Sequence, residues 1–492
     1  MNPGITFPRK IPRANVGRGV GMEFRGRLAW LGLVASLLTA FVGGGGSSAA
    51  IASLLVLRPV SALLFTIALF SLTREHLRAS AVLLAFAAST LTLVAAQLVP
   101  LPPGIWHALP GRELIEANDR LAGLVGQWRP LSLDPPATQN ALFSLLLPIA
   151  TLLFAVQLNA SDLVRTVGLV LIGALASALL ALLQILGEPE GPLYFYAMTN
   201  NGSAVGLFAN RNHQALLLAA TLPMLAFWAY AGARRDHIAE RADPRDALAR
   251  KHARRWVALG AALFVAPLLL VTGSRAGLIL GIMSLATIPL VLMRARAGHP
   301  RESSKHGISQ ILRFGAFGLL GAILSIAVLL GRDEALTRLV SKTDPAAELR
   351  VAILPVLKVM GEHYFPWGTG FGAFERVYLI HEPDALLSPA YVNHAHNDWL
   401  ELIITGGLPG ATLVAALAVA VISRTVITVK NWHHSGTETG LALLGFTFLC
   451  YIALGSLADY PLRVPIIQCV FALALVWIFA PKPGHPTRGA RN

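Results

Sequence analysis

The sequence predicts an all-α polytopic membrane protein, with about twelve transmembrane helices and one large periplasmic loop between spans 9 and 10. Three observations carry this. The 492-residue chain is 55% hydrophobic and only 13% charged, against about 25% charged in a typical soluble domain. Its mean hydropathy is +0.61. Apolar runs of 17 or more residues recur along the whole chain, each long enough to cross a hydrocarbon core of roughly 30 Å.

The candidate spans run over about 28–44, 50–72, 79–99, 140–157, 164–186, 213–231, 256–273, 276–293, 314–330, 408–423, 439–456 and 464–480. The second is interrupted by Arg58 and Pro59. An arginine at that depth must face a protein interior or snorkel, so it is either functional or a sign of a misplaced span. The N-terminus is basic with no small-residue cleavage site behind a short apolar core, and reads as a retained cytoplasmic tail. Of the 40 Lys and Arg, 27 fall on the side of the termini and 12 opposite. The excess of positive charge puts both termini in the cytoplasm. Segments 100–139, 187–212 and 331–407 then face outward, to the periplasm of a Gram-negative cell. The chain accordingly divides into a basic cytoplasmic tail (1–27), spans 1–9 (28–330), a periplasmic catalytic loop (331–407), spans 10–12 (408–480) and a second cytoplasmic tail (481–492).

The net charge of +14 does not point to nucleic acid, because the basic residues are scattered over short loops rather than gathered on one face. Cys450 and Cys469 lie in apolar runs and offer neither a disulfide framework nor a zinc pattern. The cytoplasmic segment 232–255 reads as a charged helical connector. The outward segment 331–407 is too long for a simple connector. Within 345–362, Leu349, Ile353, Val356 and Met360 share one helical stripe while Arg350 and Lys358 lie on another. Pro355 would bend or split that helix, which suits a helix lying on the membrane or capping a cavity. The stretch "FPWGTGFGAF" (365–374) reads as a loop; its GxG pairing lacks the strand–helix context of a dinucleotide site.

Several polar groups gather on the outward side. Arg275 lies between spans 7 and 8, and Arg350 opens an R-x-x-x-L unit ending at Leu354. Arg211 and His213 lie at the outer end of span 6, and His394, His396 and Asn397 where the large loop re-enters the membrane. Arginine forks at a bilayer edge suit a phosphate or diphosphate, because they bond it bidentately. A histidine beside them can take a proton from a hydroxyl. Each has a plainer reading: Arg275 can snorkel to headgroups, Arg350 can be the solvated face of its helix, and an H-x-H pair can ligate a metal. No third ligand motif accompanies the histidines, so no metal or cofactor is expected. Spacing alone does not choose between His394 and His396 as base.

"HNDWLELIITGGLPG" (396–410) resembles the hallmark of the O-antigen ligase and polymerase superfamily. That hallmark is His, then Asn, Ser or Gln, nine residues, a glycine, two residues and a small residue. His396, Asn397, Gly407 and Gly410 meet it, which selects His396. Arg350 with Leu354 matches the family's R-x-x-x-L unit, and Arg275 its arginine at the outer membrane edge. The stretches 96–112, 130–138 and 208–219 also resemble segments common in these proteins. The resemblance implies a metal-independent glycosyltransferase of the bacterial inner membrane that takes a glycan from undecaprenyl diphosphate. His396 would deprotonate the acceptor hydroxyl while Arg275 and Arg350 hold the diphosphate. Arg211, His213, His394 and Asn397 would line the substrate site.

The acceptor would be lipid A–core for a ligase, another repeat unit for a polymerase, or a protein hydroxyl. A small-anion carrier of bicarbonate type is the alternative of another class. Such a carrier should bury ionisable pairs near mid-membrane, whereas here only Arg58 is deep.

Overall fold

A computed structural model describes residues 16–48, 51–231, 244–296, 345–387, 392–430 and 436–480. The predicted ninth span, 314–330, lies outside these residues, as do 232–243 of the charged connector and 481–492 of the second tail.

The long apolar runs fold as helices because only an internally bonded backbone is tolerated in lipid. These are α1 (Val16–Gly43), α2 (Leu54–Ser71), α3 (Ala81–Ala96), α4 (Pro135–Ser144) continuing into α5 (Leu146–Ala155), and α6 (Ala160–Leu186). They continue with α7 (Arg211–Ala231), α8 (Pro244–Val271) and α9 (Arg275–Arg296). Shorter helices α10 (Pro345–Ala352), α11 (Leu354–Tyr364) and α12 (Phe374–His381) precede α13 (Asp398–Lys430), α14 (Gly436–Gly455) and α15 (Pro465–Phe479). By length and hydropathy 8 spans qualify among the described residues, α4 and α5 together forming one of them. Ala81–Ala96, Arg275–Val291 and Pro465–Phe479 are apolar but shorter. The chain is a multi-pass membrane protein.

Helix α7 lies at the centre, its residues buried almost throughout. It runs parallel to α9. A Cβ on Gly277 would come within 2.3 Å of the Ala215 Cβ, and further along Ser284 Oγ donates to the Ala219 carbonyl at 2.7 Å. Their N-termini therefore share one end of the bundle. Large apolar side chains such as Leu55, Phe70, Ile172 and Ile282 remain exposed on the outer helix faces, where lipid is the solvent.

Helix α2 runs unbroken through Pro59, and Arg58 Nη2 donates to Asn140 Oδ1 of α4. Arg58 is thus a link between two helices rather than a sign of a misplaced span. Eight of the predicted spans keep close to their places, and the helix of the first begins earlier, at Val16. The helix of the seventh begins earlier, at Pro244, and that of the tenth begins at Asp398 rather than 408.

The segments between spans at the shared end build a second, smaller apolar core from Ile353, Leu357, Met360, Tyr364, Phe374, Tyr378 and their neighbours. The predicted helix over 345–362 splits at Ile353 into α10 and α11, with Pro355 in the first turn of the second. Ile353 and Met360 of the predicted stripe are fully buried there.

Segment 100–134 packs on the same core. Pro100–Leu101 pairs with Arg129–Pro130, the one two-stranded sheet among the described residues. Buried Arg112 donates to the carbonyls of Pro110, Leu131 and Gly368 at 3.0, 2.8 and 3.2 Å. Burial pulls its guanidinium down to about 10 and pushes the neighbouring Tyr364 phenol up to about 12. Arg112 thus stays charged and Tyr364 neutral at any working pH.

Candidate active site at one end of the bundle

The site is organised by a residue that the motif does not contain, Asp459, in the turn after α14. Its backbone N–H closes that helix by donating to the Gly455 carbonyl at 3.0 Å. Asn210 Nδ2 donates to its Oδ2 at 3.0 Å, and Asn212 Nδ2 donates to the same oxygen. Three further groups face the carboxylate at ion-pair distance: His396 Nδ1 at 3.7 Å, Arg350 Nη2 at 3.8 Å and His213 Nε2 at 3.8 Å. Burial alone pushes the Asp459 carboxyl up, but His396, His213 and Arg350 outweigh it and hold the group well below the usual carboxylate range. Asp459 is therefore an anion under all working conditions.

Each facing group is placed by its own element. Asn210 to His213 form the entry to α7, and the loop before them is pinned by buried amides. Gln184 Nε2 donates to the Gly206 carbonyl at 2.9 Å, and Gly206 N–H donates back to Gln184 Oε1 at 2.8 Å. Arg350 comes from α10, held over the bundle by the outer core.

His396 has φ +50°, the one positive φ at a non-glycine residue among those described. Left-handed backbone at a residue with a Cβ costs on the order of 1–2 kcal/mol, and such strain collects at functional sites. His396 Nδ1 is buried with no hydrogen-bond partner, although the side chain is 21% exposed. The exposure therefore belongs to the rest of the ring. Tyr460 fills the space between the histidines, with ring centroids 4.3, 5.1 and 5.2 Å from His394, His396 and His213.

The two histidines of H-x-H have separate tasks. His394 Nδ1 lies 3.1 Å from Glu401 Oε1, whose Oε2 accepts the Ala395 N–H at 3.0 Å. Arg463 sits between Glu401 and Asp398, at 3.4 and 3.2 Å. His394 thus belongs to a buried ion network joining α13 to the turn before α15, and His396 alone of the pair faces Asp459. Asn397 caps α13: its Oδ1 accepts the Trp399 and Leu400 N–H groups at 3.0 and 3.1 Å, and its Nδ2 donates to the Leu457 carbonyl at 3.1 Å.

The motif's glycines are structural. Gly407 breaks α13 with φ +57° and ψ −155°, a region essentially reserved for glycine. A Cβ there would lie 2.2 Å from the Pro366 carbonyl oxygen. The carbonyls freed by the break are capped by the glycine-rich loop: Thr369 N–H donates to Ile404 O at 2.9 Å and Gly370 N–H to Thr405 O at 3.0 Å.

Among the other expected site residues, Arg211 and Arg275 begin the two parallel helices α7 and α9 at this end. Arg275 is exposed, and the Arg211 N–H donates to Asn200 Oδ1 at 3.0 Å. Asp459 was missed because it lies outside every spacing pattern. One signal existed: it is the single acidic residue between Thr439 and Ala480. No group of three or more His, Cys, Asp or Glu side chains that could hold a metal ion occurs among the described residues.

A buried carboxylate against one histidine nitrogen, with arginine beside it, can keep the other nitrogen free as a base. The distance of 3.7 Å is an ion-pair contact rather than a hydrogen bond, and such contacts tighten in substrate complexes. Residues 259–415, which span Arg275, Arg350 and His396, match the O-antigen ligase family. No curated protein matches the chain.

Proposed function

From the match of residues 259–415 to the O-antigen ligase family, we propose that the chain is an O-antigen ligase. It would move a glycan from undecaprenyl diphosphate to a hydroxyl of lipid A–core at the periplasmic face of the inner membrane. The coarser statement, a membrane glycosyltransferase-like enzyme acting on lipid-linked glycan, follows from the family itself. The observation that supports the catalytic part of this reading is the convergence of His396 and Arg350 on Asp459 at one end of the bundle.

In this reading Asp459 holds His396 Nδ1 and leaves Nε2 to accept the proton of the acceptor hydroxyl. The acceptor oxygen then bonds to the anomeric carbon as the carbon–oxygen bond to the diphosphate breaks. Undecaprenyl diphosphate leaves with the bonding pair. Arg350 and Arg275 offset the charge that grows on it. No metal takes part. Arg211 and His213 line the donor side, where the N-termini of α7 and α9 add partial positive charge. The ionisable groups gather at one end of the bundle, which also favours an enzyme over a small-anion carrier with mid-membrane charge pairs.

The test compares His396→Ala and His394→Ala in cells lacking the native gene, reading lipid A-attached glycan and its chain length on gels. We expect His396→Ala to lose attached glycan while lipid-linked polymer accumulates. Single repeat units remaining on lipid A would instead identify a polymerase working with the same residues. Unchanged glycan in both variants would sink the catalytic assignment.

A further inference from the structure

The segment between α3 and α4 contains a helix that is inside out. Over Glu113–Ala122, residues advance about 100° each, so Arg112, Glu116 and Asp119 share one face while Leu114, Ala117 and Leu121 share the opposite one. In a protein in water the apolar face packs inward. Here the charged face does. Arg112 and Asp119 are buried, Asp119 is bonded by Arg129 through Nε at 2.7 Å and through Nη2, and Glu116 meets His107 at 3.1 Å. The apolar face is left outside, with Leu114 55% and Leu121 89% exposed. The stripe continues past the helix into Val125 and Trp128, the latter 63% exposed.

The position of this stripe says what covers it. Ser132 N–H donates to the Gln97 carbonyl at 3.0 Å, at the end of α3. The Pro100↔Pro130 and Leu101↔Arg129 pairing sets Trp128 about one residue beyond the end of that register. Trp128 therefore lies opposite Pro102, a few residues past the point where the chain leaves the apolar helix α3. Val99 and Ile105, both 55% exposed, carry the lipid-facing surface up to it. Tryptophan at the head-group level with leucines below is the composition of a helix lying in the interface. A face of this kind in water would be an exposed apolar patch with no solvent suited to it.

We propose that Glu113–Ala122 and Trp128 form an interfacial anchor, seated in the headgroup–acyl boundary of the leaflet beside the active site. Its partner is the lipid surface. The anchor also has a mechanical connection to the site, through Arg112. That residue begins the inward face of the helix and bonds the Gly368 carbonyl in the loop that caps the Gly407 break. Docking the helix in lipid thus sets the height of the loop under which the His396 segment enters the membrane. The inference requires only that the bundle spans a bilayer, not that it transfers glycan.

The experiment uses the full-length protein in phosphatidylglycerol–phosphatidylcholine nanodiscs. Leu121→Cys and, separately, Trp128→Cys are labelled with bimane. Lys358→Cys, at 78% exposure on the outer core, is the aqueous reference. The labelled parent supplies the background from Cys450 and Cys469. Quenching by iodide in water is compared with quenching by brominated lipid. We expect the labels at 121 and 128 to be quenched by brominated lipid and shielded from iodide several-fold relative to 358. Iodide access equal to that at 358 would overturn the anchor. Shielding from both quenchers, together with cross-linking of Leu121→Cys between copies, would overturn it too and assign the face to a second copy of the chain.

Discussion

Asp459 shows how one buried charge can order a site. Its carboxylate faces two asparagine amides, two histidines and an arginine from three different parts of the chain. Removing the charge while keeping the shape, as in Asp459→Asn, leaves His396 Nδ1 without its anion. We expect glycan transfer by Asp459→Asn to fall at least about 100-fold, as when the carboxylate behind a catalytic histidine is neutralised. A rate within a few-fold of wild type, measured on purified protein with lipid-linked donor, would remove Asp459 from the proposed mechanism. The same residue predicts a pH effect. Its folded carboxyl is held low, so its stabilisation is fully present above the ordinary value of about 3.9 and is lost progressively as pH falls from there toward the depressed folded value. The unfolding midpoint of the wild type should therefore drop more steeply than that of Asp459→Asn below about pH 5. Parallel curves would contradict the assignment of a depressed carboxyl.

At the scale of elements, the hallmark motif turns out to describe a broken helix. His396 and Asn397 set its start, and Gly407 interrupts it one loop-width away so that the amides of 369 and 370 can reach its carbonyls. Gly407→Ala places a Cβ 2.2 Å from a backbone oxygen in a conformation that alanine rarely adopts. It should cost more than about 2 kcal/mol. Gly410→Ala is different, since its Cβ meets only the ends of Leu402 and Phe371 at 3.1 and 3.3 Å. Those side chains can yield, and helix propensity compensates, so we expect a change within about 1 kcal/mol. Thermal unfolding in detergent would check the contrast; equal effects would mean that the break is not what the glycine is for. Among the described residues the long apolar helices were legible in advance, because apolar run length is a direct record of what must be buried in lipid. The split at Ile353 was foreshadowed by Pro355. The role of Gly407 was not, because a motif records spacing and not the approach of a second segment.

At the scale of the whole molecule, the described residues form two apolar cores, one in the bundle and one at the end where the site lies. That end should be the periplasmic one, given the basic residues gathered on the opposite side. Cysteine labelling tests it: Lys358→Cys should react with a membrane-impermeant thiol reagent in cells with a permeabilised outer membrane. Arg250→Cys, exposed at the other end, should react only after lysis. The reverse pattern would invert the protein and remove the site from the periplasm.

The sequence by itself determined the membrane class and the positions of most spans among the described residues, and it singled out Arg275, Arg350 and His396 as candidate site residues. These are properties of composition and local spacing, which survive in a linear string. Only the tertiary structure decided that His396 rather than His394 faces Asp459, that Asn397 is a cap, and that Arg58 is a helix link. It also decided that the helix after Arg112 turns its leucines outward. Each of these depends on which distant side chain stands opposite, and a pairing between residues far apart in the chain leaves no local trace in the sequence of either.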